Sequence, residues 1–276
     1  MSLQEYDGNL AGTSCLMELG LINSRVLVTG SSSGVGYGIA SAFLAEGATV
    51  VLTGRDEEDL QCARSTLANE FGGDRIKIFP GDLGDENIRQ HLSSTLLPHG
   101  LNHLICNIGS GRSVPILQET TDEWKRMFDT NLFQAAGMVQ DLRSLLAASV
   151  KQGHAASLTF VGSICGMESI GCPLAYASAK AALWAYAKNL VRPLADDGIR
   201  VNMVSPGNVL FPGSIWENKL AQDAAGVQTM LDREVPMRRL GMLDEITAAI
   251  VFLASRRAAF ITGANLVVDG GQTRGL

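Results

Sequence analysis

Charge, cysteine and long apolar runs are all scarce in this sequence of 276 residues, and each shortage excludes a class of protein. Charged residues make up 18% of the chain against 46% hydrophobic residues, which excludes a disordered chain and predicts a globular fold with a large core. The net charge is −6 and no basic run occurs, so neither nucleic acid nor an anionic membrane is expected as a partner. No apolar run is long enough to cross a membrane. A small molecule is the expected partner.

Cysteine is limited to five residues that include no Cys-x-x-Cys pair, and the four histidines lie apart from them in the sequence. This pattern predicts a reducing, cytoplasmic compartment and no metal site. Two of the cysteines, Cys165 and Cys172, are interpreted as small packing residues. The other three are Cys15, Cys62 and Cys106.

The N-terminal stretch is interpreted as an extension rather than a targeting signal. The first 22 residues contain neither Lys nor Arg and no long apolar segment, so we expect no secretory signal. Residues 1–16 are assigned to the extension and residues 17–276 to one catalytic domain, because no linker or internal repeat interrupts the later sequence.

A glycine-rich turn follows the first short apolar run, residues 25–29, and precedes a helical pattern that continues to Leu44. When a glycine-rich turn joins a strand to a helix, its glycines let the backbone come close to a pyrophosphate. The N–H groups at the start of the helix then bind the pyrophosphate. The order therefore favours a dinucleotide site over a plain turn. The turn residues expected to contact the cofactor are Gly30, Ser32, Ser33, Gly34, Val35 and Gly36.

The end of the second predicted strand, residues 49–53, decides which dinucleotide is bound. A carboxylate at this position accepts a hydrogen bond from the ribose 2′-OH of NAD, whereas an arginine favours the 2′-phosphate of NADP. Gly54 and Arg55 occupy the position here, so NADP(H) is favoured and NAD(H) is the alternative. In the other interpretation, Arg55 is merely solvated beside a helix that Asp56 caps.

Strands alternate with helices along the rest of the chain, which predicts an α/β fold with a central parallel sheet of about seven strands and helices on both faces. One long amphipathic helix is predicted over residues 121–149, and another from residue 172 to about residue 194. Residues 208–239 carry no decodable motif, and a long insertion of this kind is typical of a segment that binds substrate. The later strands are predicted at residues 75–79, 103–107, 156–161, 200–205 and 265–268.

Tyr176 and Lys180 are four residues apart in the second of these helices and therefore project from the same face. A phenol ionises at about pH 10, and an ammonium beside it favours the tyrosinate, which brings the pKa of the phenol toward neutral pH. Such a tyrosine serves as an acid or base. The spacing alone equally fits an ordinary surface helix, so its context has to decide.

Four motifs, in this order and spacing, resemble the short-chain dehydrogenase/reductase family, and the resemblance covers residues 19–271. They are the turn Thr29-Gly30-x-x-x-Gly34-x-Gly36, Asn131, Ser163 thirteen residues before Tyr176, and Tyr176 with Lys180. The resemblance implies a doubly wound Rossmann domain and an NAD(P)(H)-dependent oxidoreductase that interconverts a ketone and a secondary alcohol. It also implies a homo-oligomer, either a dimer or a tetramer.

The resemblance implies a role for each site residue. Ser163 donates a hydrogen bond to the carbonyl oxygen, and Tyr176 delivers the proton to it. Lys180 lowers the pKa of Tyr176 and holds the nicotinamide ribose, while Asn131 orients a water that connects Lys180 to solvent. The further cofactor contacts implied are Asp82, Leu83, Asn107, Gly109, Pro206, Gly207 and Val209, with Tyr176 and Lys180 also touching the cofactor.

Two departures from the family pattern bear on the cofactor. Ile108 stands where the family has a small Ala, so the cofactor is expected to shift slightly. Phe211 stands where a Thr contacts the cofactor, which leaves that contact to Ser214 or to a backbone group.

Two alternative functions stay open beside the small-molecule oxidoreductase. The first is a 3-oxoacyl-(acyl carrier protein or CoA) reductase. An acyl-carrier substrate is less expected, because the ends of the two long helices carry Lys151 and the acidic pair Asp196 and Asp197 instead of basic clusters. The second is a nucleotide-binding scaffold that has lost catalysis, which the intact set of four catalytic residues argues against.

Overall fold

Parallel strands form the centre of the molecule. The computed structural model describes residues 18–275, so the extension predicted at residues 1–16 and Cys15 lie outside the described residues. The strands are β1 (Arg25–Val28), β2 (Thr49–Gly54), β3 (Ile76–Pro80), β4 (His103–Cys106), β5 (Ala156–Val161), β6 (Ile199–Pro206), β7 (Val209–Leu210), β8 (Gly241–Met242) and β9 (Asn265–Val268). Seven of them form one parallel sheet in the spatial order β3-β2-β1-β4-β5-β6-β9.

Helices cover both faces of this sheet. They are α1 (Gly34–Ala45), α2 (Glu57–Phe71), α3 (Glu86–Leu96), α4 (Thr121–Phe128), α5 (Gln134–Lys151), α6 (Leu174–Ala195), α7 (Ile215–Glu234) and α8 (Leu243–Ala254). Helices α1, α2 and α8 bury their apolar residues in a core on one face. Helices α3, α5 and α6 do the same on the other face. The predicted doubly wound α/β fold is therefore confirmed.

The order of the strands creates a crevice at the carboxyl edge of the sheet. The chain runs outward from β1 through β2 to β3, then returns to β4 on the other side of β1 and continues in the opposite direction. Strands β1 and β4 are hydrogen-bonded neighbours, with Val28 opposite Ile105 near their carboxyl ends. In open parallel sheets, ligands bind where the strand order reverses in this way.

The local sequence explains most element boundaries. Strands β4 and β5 are buried along their whole length, as expected of parallel strands covered on both faces. Asp56 and Asp85 cap α2 and α3, because each carboxylate accepts a backbone N–H from the first turn, of Asp59 at 2.9 Å and of Asn87 at 2.7 Å.

Two predicted segments differ in detail from the structure. The single helix predicted over residues 121–149 is instead α4 and α5, joined by a π-helical turn at Asp129–Phe133. Residues 208–239, left without elements in the prediction, contain β7 and the long helix α7, and β7 pairs with β8 in a small separate sheet. Helix α7 is kinked at Asp223, whose Oδ1 accepts the N–H of Gly226 and starts the second half of the helix.

No helix among those described between residues 18 and 275 combines the length and the apolar character needed to cross a membrane.

Candidate active site

Tyr176 and Lys180 lie in the first two turns of α6, which begins at Leu174. Lys180 is 3% exposed, and its Nζ donates a hydrogen bond to the backbone oxygen of Val161 over 2.9 Å. The same Nζ lies 6.0 Å from the centre of the Tyr176 ring. The four-residue spacing thus places an ammonium and a phenol on one face of the helix, as predicted.

Ser163 brings a hydroxyl to the same place from the end of β5. Its side chain is buried, and Oγ accepts the backbone N–H of Cys165 over 3.2 Å. Ser163 is also close enough to the Tyr176 side chain to lower the pKa of its phenol. Since β5 and α6 are packed elements of the central framework, the position of this pair is set by the fold.

Asn131 is completely buried in the π-helical turn that joins α4 to α5. Its Oδ1 accepts the N–H of Ser110 over 3.0 Å, and its Nδ2 donates to the backbone oxygens of Ser110 at 3.1 Å and of Met127 at 3.0 Å. The asparagine therefore clamps the loop after β4 against the helix pair. A π turn inside a helix is a feature found often at functional sites.

Gly109 explains how Asn131 and Lys180 come together. A Cβ at Gly109 would lie 2.9 Å from both the Oδ1 of Asn131 and the Nζ of Lys180, closer than real Cβ contacts come. Gly111, two residues later, lies against the ring of Tyr176. At Gly109 the loop after β4 therefore passes so close to Asn131 and Lys180 that a Cβ would displace their side chains.

Burial dominates the electrostatics of these groups. It raises the pKa of Tyr176, although Ser163 acts in the opposite direction. Burial also lowers the pKa of Lys180 to about 8. The lowering of the Tyr176 pKa by Lys180 stays a prediction: the effect of burial on the phenol is the larger one here, and the ammonium of Lys180 is bonded to the oxygen of Val161.

The glycine turn before α1 is shaped for close approach of a ligand to the backbone. Gly30 and Gly34 have φ of 63° and 58°, in the left-handed region that favours glycine. A Cβ at Gly36 would lie 2.1 Å from the oxygen of Gly30, so no larger residue fits. The Nδ2 of Asn107 donates to the oxygens of Thr29 and Gly30 and ties the end of β4 to the turn. This cradle and the N-terminus of α1 fit a dinucleotide pyrophosphate.

One cleft of about 970 Å³ runs from the glycine turn past Tyr176 to α7. Most of the predicted site residues line it, which brings together positions from residue 30 to residue 209. The predicted residues in its lining are Gly30, Ser33, Gly34, Val35, Gly36, Asn107, Gly109, Ser163, Tyr176, Lys180, Pro206, Gly207 and Val209. The predicted residues outside the lining are Ser32, Arg55, Asp82, Leu83 and Asn131.

Several of these outer residues lie along the same edge of the sheet. Arg55 is exposed directly after β2, and Ser32 lies close to Gly54 at the end of that strand. Asp82 is exposed and accepts the N–H of Gly84 over 2.9 Å. Leu83 is 2% exposed and packs in the core beside α3, so its side chain serves the fold.

The two departures from the family pattern both contact the glycine turn. Ile108 packs against Gly30, where a Cβ would lie 3.0 Å from its side chain. The ring of Phe211 lies over Gly34, where a Cβ would be 3.1 Å from the ring. The hydroxyl of Ser214 caps α7 by accepting the N–H of Glu217 over 3.1 Å, and it also accepts the N–H of Phe211 over 3.4 Å, which leaves its O–H to donate to a cofactor.

The outer wall of the cleft combines the predicted substrate segment, residues 208–239, with a C-terminal tail that the sequence prediction did not include in the site. Trp216 and Lys219 come from α7, with the Lys219 Nζ 4.4 Å from the centre of the Trp216 ring. Arg274 comes from the C-terminal tail, where the Glu168 carboxylate accepts the N–H groups of Arg274, over 2.7 Å, and of Gly275. No local pattern marks the contact between Glu168 and the tail, because the two segments are 106 residues apart in the sequence.

A disulfide bond joins Cys165 to Cys172 in the wall of the cleft, and the prediction that both are small packing residues is therefore wrong. The chain reverses between them, with Gly171 at φ 78°, which brings the two Cα atoms to 5.9 Å. Among the described residues the free thiols are those of Cys62, which is exposed, and Cys106, which is buried.

Comparison with known proteins gives consistent relatives. A family model described as Enoyl-(Acyl carrier protein) reductase matches residues 30–273. The 3-oxoacyl-[acyl-carrier-protein] reductase FabG of Escherichia coli is 33% identical over 250 residues, which cover 89% of this chain and 96% of the relative. The glucose 1-dehydrogenase of Gluconobacter oxydans is 31% identical over 252 residues, which cover 90% of this chain and 91% of the relative.

Solved structures agree with these relatives. L-sorbose reductase from Gluconobacter frateurii, complexed with NADPH and L-sorbose, has a TM-score of 0.86 at 29% identity and covers 94% of this chain and 100% of its own. The Pseudomonas aeruginosa RhlG/NADP active-site complex has a TM-score of 0.83 at 29% identity, and the match covers 92% of this chain and 98% of the RhlG chain. With a family model over most of its length and relatives above 30% identity over nearly all of theirs, the chain belongs to the short-chain dehydrogenase/reductase family of oxidoreductases.

Proposed function

We propose that the protein uses NADP(H) to interconvert a ketone and a secondary alcohol of a small molecule, with Tyr176 as the acid or base. One observation carries the proposal: Ser163, Tyr176 and Lys180 meet in the cleft that begins at the glycine turn, and Asn131 contacts the loop beside them. A scaffold that had lost catalysis would have no need to keep this set of buried polar groups together.

NADP(H) is the favoured cofactor. The glycine cradle and the start of α1 suit the pyrophosphate, and the exposed Arg55 after β2 supplies the cation that a 2′-phosphate needs. The L-sorbose reductase and RhlG structures, which resemble this chain, hold NADPH and NADP respectively. Pro206, Gly207 and Val209, which also line the cleft, lie on the nicotinamide side in this proposal.

The chain's own groups handle the proton. In the reduction direction NADPH supplies the hydride, while negative charge develops on the carbonyl oxygen. Ser163 donates a hydrogen bond to that oxygen, and Tyr176 delivers the proton. Because burial raises the pKa of Tyr176, the resting phenol holds its proton and suits the role of acid. Lys180 holds the ribose hydroxyls, and Asn131 orients a water that links Lys180 to solvent.

The substrate segment is proposed to be residues 208–239, within a single catalytic domain that starts at residue 17. Helix α7 presents Trp216 and Met230 to the cleft, while Phe211 covers the glycine turn at its inner end. These apolar side chains stand beside the charged Lys219, Arg233 and Arg274, and such a combination is typical of a small-molecule site. The relatedness to FabG favours a 3-oxoacyl thioester as the second candidate substrate.

A homo-oligomer, either a dimer or a tetramer, is part of the proposal. Phe133 at the start of α5 is 55% exposed and Phe260 before β9 is fully exposed, and exposed aromatic side chains are typical of interfaces. Light scattering at micromolar concentration measures the oligomer directly, and a monomer would contradict this part. The cytoplasmic location stays a prediction.

The substitution Tyr176→Phe tests the mechanism. It removes the transferable proton, so kcat falls by roughly a thousandfold while the affinity for NADPH stays the same. Loss of NADPH absorbance is followed with simple ketones, sugars and a 3-oxoacyl thioester, and fluorescence titration gives the affinity. Full turnover in the variant would refute the role of Tyr176, and no turnover by the wild type on any carbonyl or alcohol would favour the scaffold.

A further inference from the structure

The segment between Ser163 and Tyr176 forms a covalent loop in the wall of the cleft. Cys165 follows Ser163 by two residues and Cys172 precedes Tyr176 by four, and the disulfide closes the chain between them. Both cysteines line the cleft and are partly exposed. We propose that the Cys165–Cys172 disulfide is a positioning element of the active site, and that its reduction by a dithiol weakens substrate binding. This inference rests on the proposed function.

One end of the loop is held directly against the catalytic groups. The N–H of Cys165 donates to the Oγ of Ser163 over 3.2 Å, so the position of Cys165 affects the orientation of the catalytic hydroxyl. Gly166 packs on the backbone of α6, because a Cβ there would lie 2.7 Å from the carbonyl carbon of Lys180 and from the nitrogen of Ala181. The loop therefore starts in tight contact with both elements that carry the chemistry.

The rest of the loop has few contacts of its own. Met167 and Ser169 are exposed, and a Cβ at Gly171 would have no neighbour within 4 Å. Met167 and Glu168 donate their backbone N–H groups to the oxygen of Ile164 at 2.9 Å and 3.1 Å. Beyond this turn, the contacts described for the loop are those of Glu168 with the C-terminal tail and the 3.3 Å contact between the Sδ of Met167 and the Nδ2 of Asn265. A loop with so few anchors gains many conformations when its covalent closure is removed. The disulfide is thus the covalent constraint on this part of the cleft wall.

Reduction is a balanced thiol exchange. A thiolate of the dithiol attacks one sulfur of the protein disulfide, the S–S bond breaks, and the other cysteine leaves as a thiolate that takes up a proton. The second thiol of the reagent then displaces the first cysteine and closes the reagent's own disulfide. Two electrons pass from the dithiol to the protein, which gains two thiols.

Other thiols are removed to make the test specific. Cys15 lies outside the described residues and Cys62 is exposed, so Cys15→Ser/Cys62→Ser serves as the parent and keeps the pair intact. Burial raises the pKa of the Cys106 thiol, which leaves it unreactive. Adding Cys165→Ser/Cys172→Ser to the parent gives the open form. Mass spectrometry after alkylation without reductant counts the free thiols, and a free pair in the isolated parent would overturn the inference.

Kinetics then compare the oxidised parent, the dithiol-treated parent and the open variant. The KM for the carbonyl substrate is expected to rise by roughly tenfold in both open forms, with a smaller fall in kcat, because Ser163 and the wall lose their fixed positions. The Kd for NADPH stays unchanged, since the glycine turn is not touched. Reoxidation of the parent with an oxidised dithiol restores the KM. Equal KM in all forms, or a dithiol response in the open variant, would overturn the inference.

A structural readout separates this inference from the proposed function. Hydrogen exchange of residues 166–171 is expected to speed up on reduction of the parent whether or not a substrate has been found. If exchange responds but no carbonyl or alcohol is turned over in any form, the proposed function fails. If turnover is found and neither exchange nor KM responds, only the role of the disulfide fails.

Discussion

The inner and outer halves of the cleft are built in different ways. The inner half, defined here as the glycine turn of residues 30–36 with Ser163, Tyr176 and Lys180, lies at the ends of β1, β5 and α6. The outer half, defined as residues 165–172, α7 and the tail after β9, is assembled from contacts between distant segments. The shape of the inner half is fixed by positions where only glycine fits. The shape of the outer half depends on contacts between residues that are far apart in the sequence. In the proposed function, the inner half therefore determines the reaction and the cofactor, and the outer half determines the choice of substrate.

The largest effect is expected at Gly36, where a Cβ would lie 2.1 Å from the oxygen of Gly30. Gly36→Ala forces the turn open, which abolishes measurable NADPH binding and destabilises the protein by about 3 kcal/mol. Thermal denaturation with and without NADPH measures both effects. Gly73→Ala is the matched control, because its Cβ meets nothing nearer than 3.7 Å. Equal loss in the two variants would show that the inner half is not sterically limited.

Lys180 gives the next largest effect, through its buried charge. Lys180→Met removes the cation proposed to hold the ribose, so turnover is expected to fall by roughly a hundredfold. The pKa of the folded Lys180 is about 8 against its ordinary 10.5, so the wild type keeps the ammonium below about pH 8 and loses it above. We expect the wild-type rate of reduction to fall as the pH rises through about 8, in a limb that Lys180→Met lacks.

The stability of the wild type and of Lys180→Met is an independent check on the direction of the Lys180 pKa shift. Between pH 8 and 10.5 the unfolded wild type binds more protons at Lys180 than the folded protein does, so the free energy of unfolding rises with pH in this window. In Lys180→Met this contribution is absent. Urea denaturation at several pH values measures the difference, and parallel pH profiles for the two proteins would contradict the buried, destabilised charge.

Arg55 tests the link between the inner half and the cofactor. Arg55→Asp replaces the cation expected at the 2′-phosphate by a carboxylate, so the ratio of kcat/KM for NADPH to that for NADH is expected to fall by roughly a hundredfold. Arg143→Asp makes the same charge change at an exposed position on α5 and leaves the ratio unchanged. An unchanged NADPH-to-NADH ratio in Arg55→Asp would show that Arg55 is merely solvated and does not contact the cofactor.

The same division decides what the sequence could predict. The seven strands, the glycine turn and the Tyr176–Lys180 pair follow from local signals, because apolar runs, glycines in tight turns and a four-residue helical spacing are all readable along the chain. Ser163 was implied by the family resemblance and by no local pattern. Asn131 was placed on a helix, but the π turn around it depends on packing that no pattern reports. The disulfide and the contact of Glu168 with the tail were missed, because they depend on how loops fold over the finished framework.

The smallest effect is expected at Trp216, in the outer half. Its ring lies in the cleft wall under the Lys219 ammonium and packs against the small apolar cluster that includes Val227 and Leu231. Trp216→Ala is expected to change the KM of carbonyl substrates by roughly threefold to tenfold, with the sign depending on substrate size, while the Kd of NADPH and the pH profile stay the same. Trp184→Ala on α6 is the control, because the Trp184 ring lies under Lys188 and outside the cleft lining.

Steady-state kinetics on two ketones of different size make the comparison. Loss of a wall residue alters the ratio of kcat/KM for the two ketones, whereas general destabilisation of the fold lowers both values together. A Trp216→Ala variant with altered NADPH affinity would show that the two halves of the cleft are coupled.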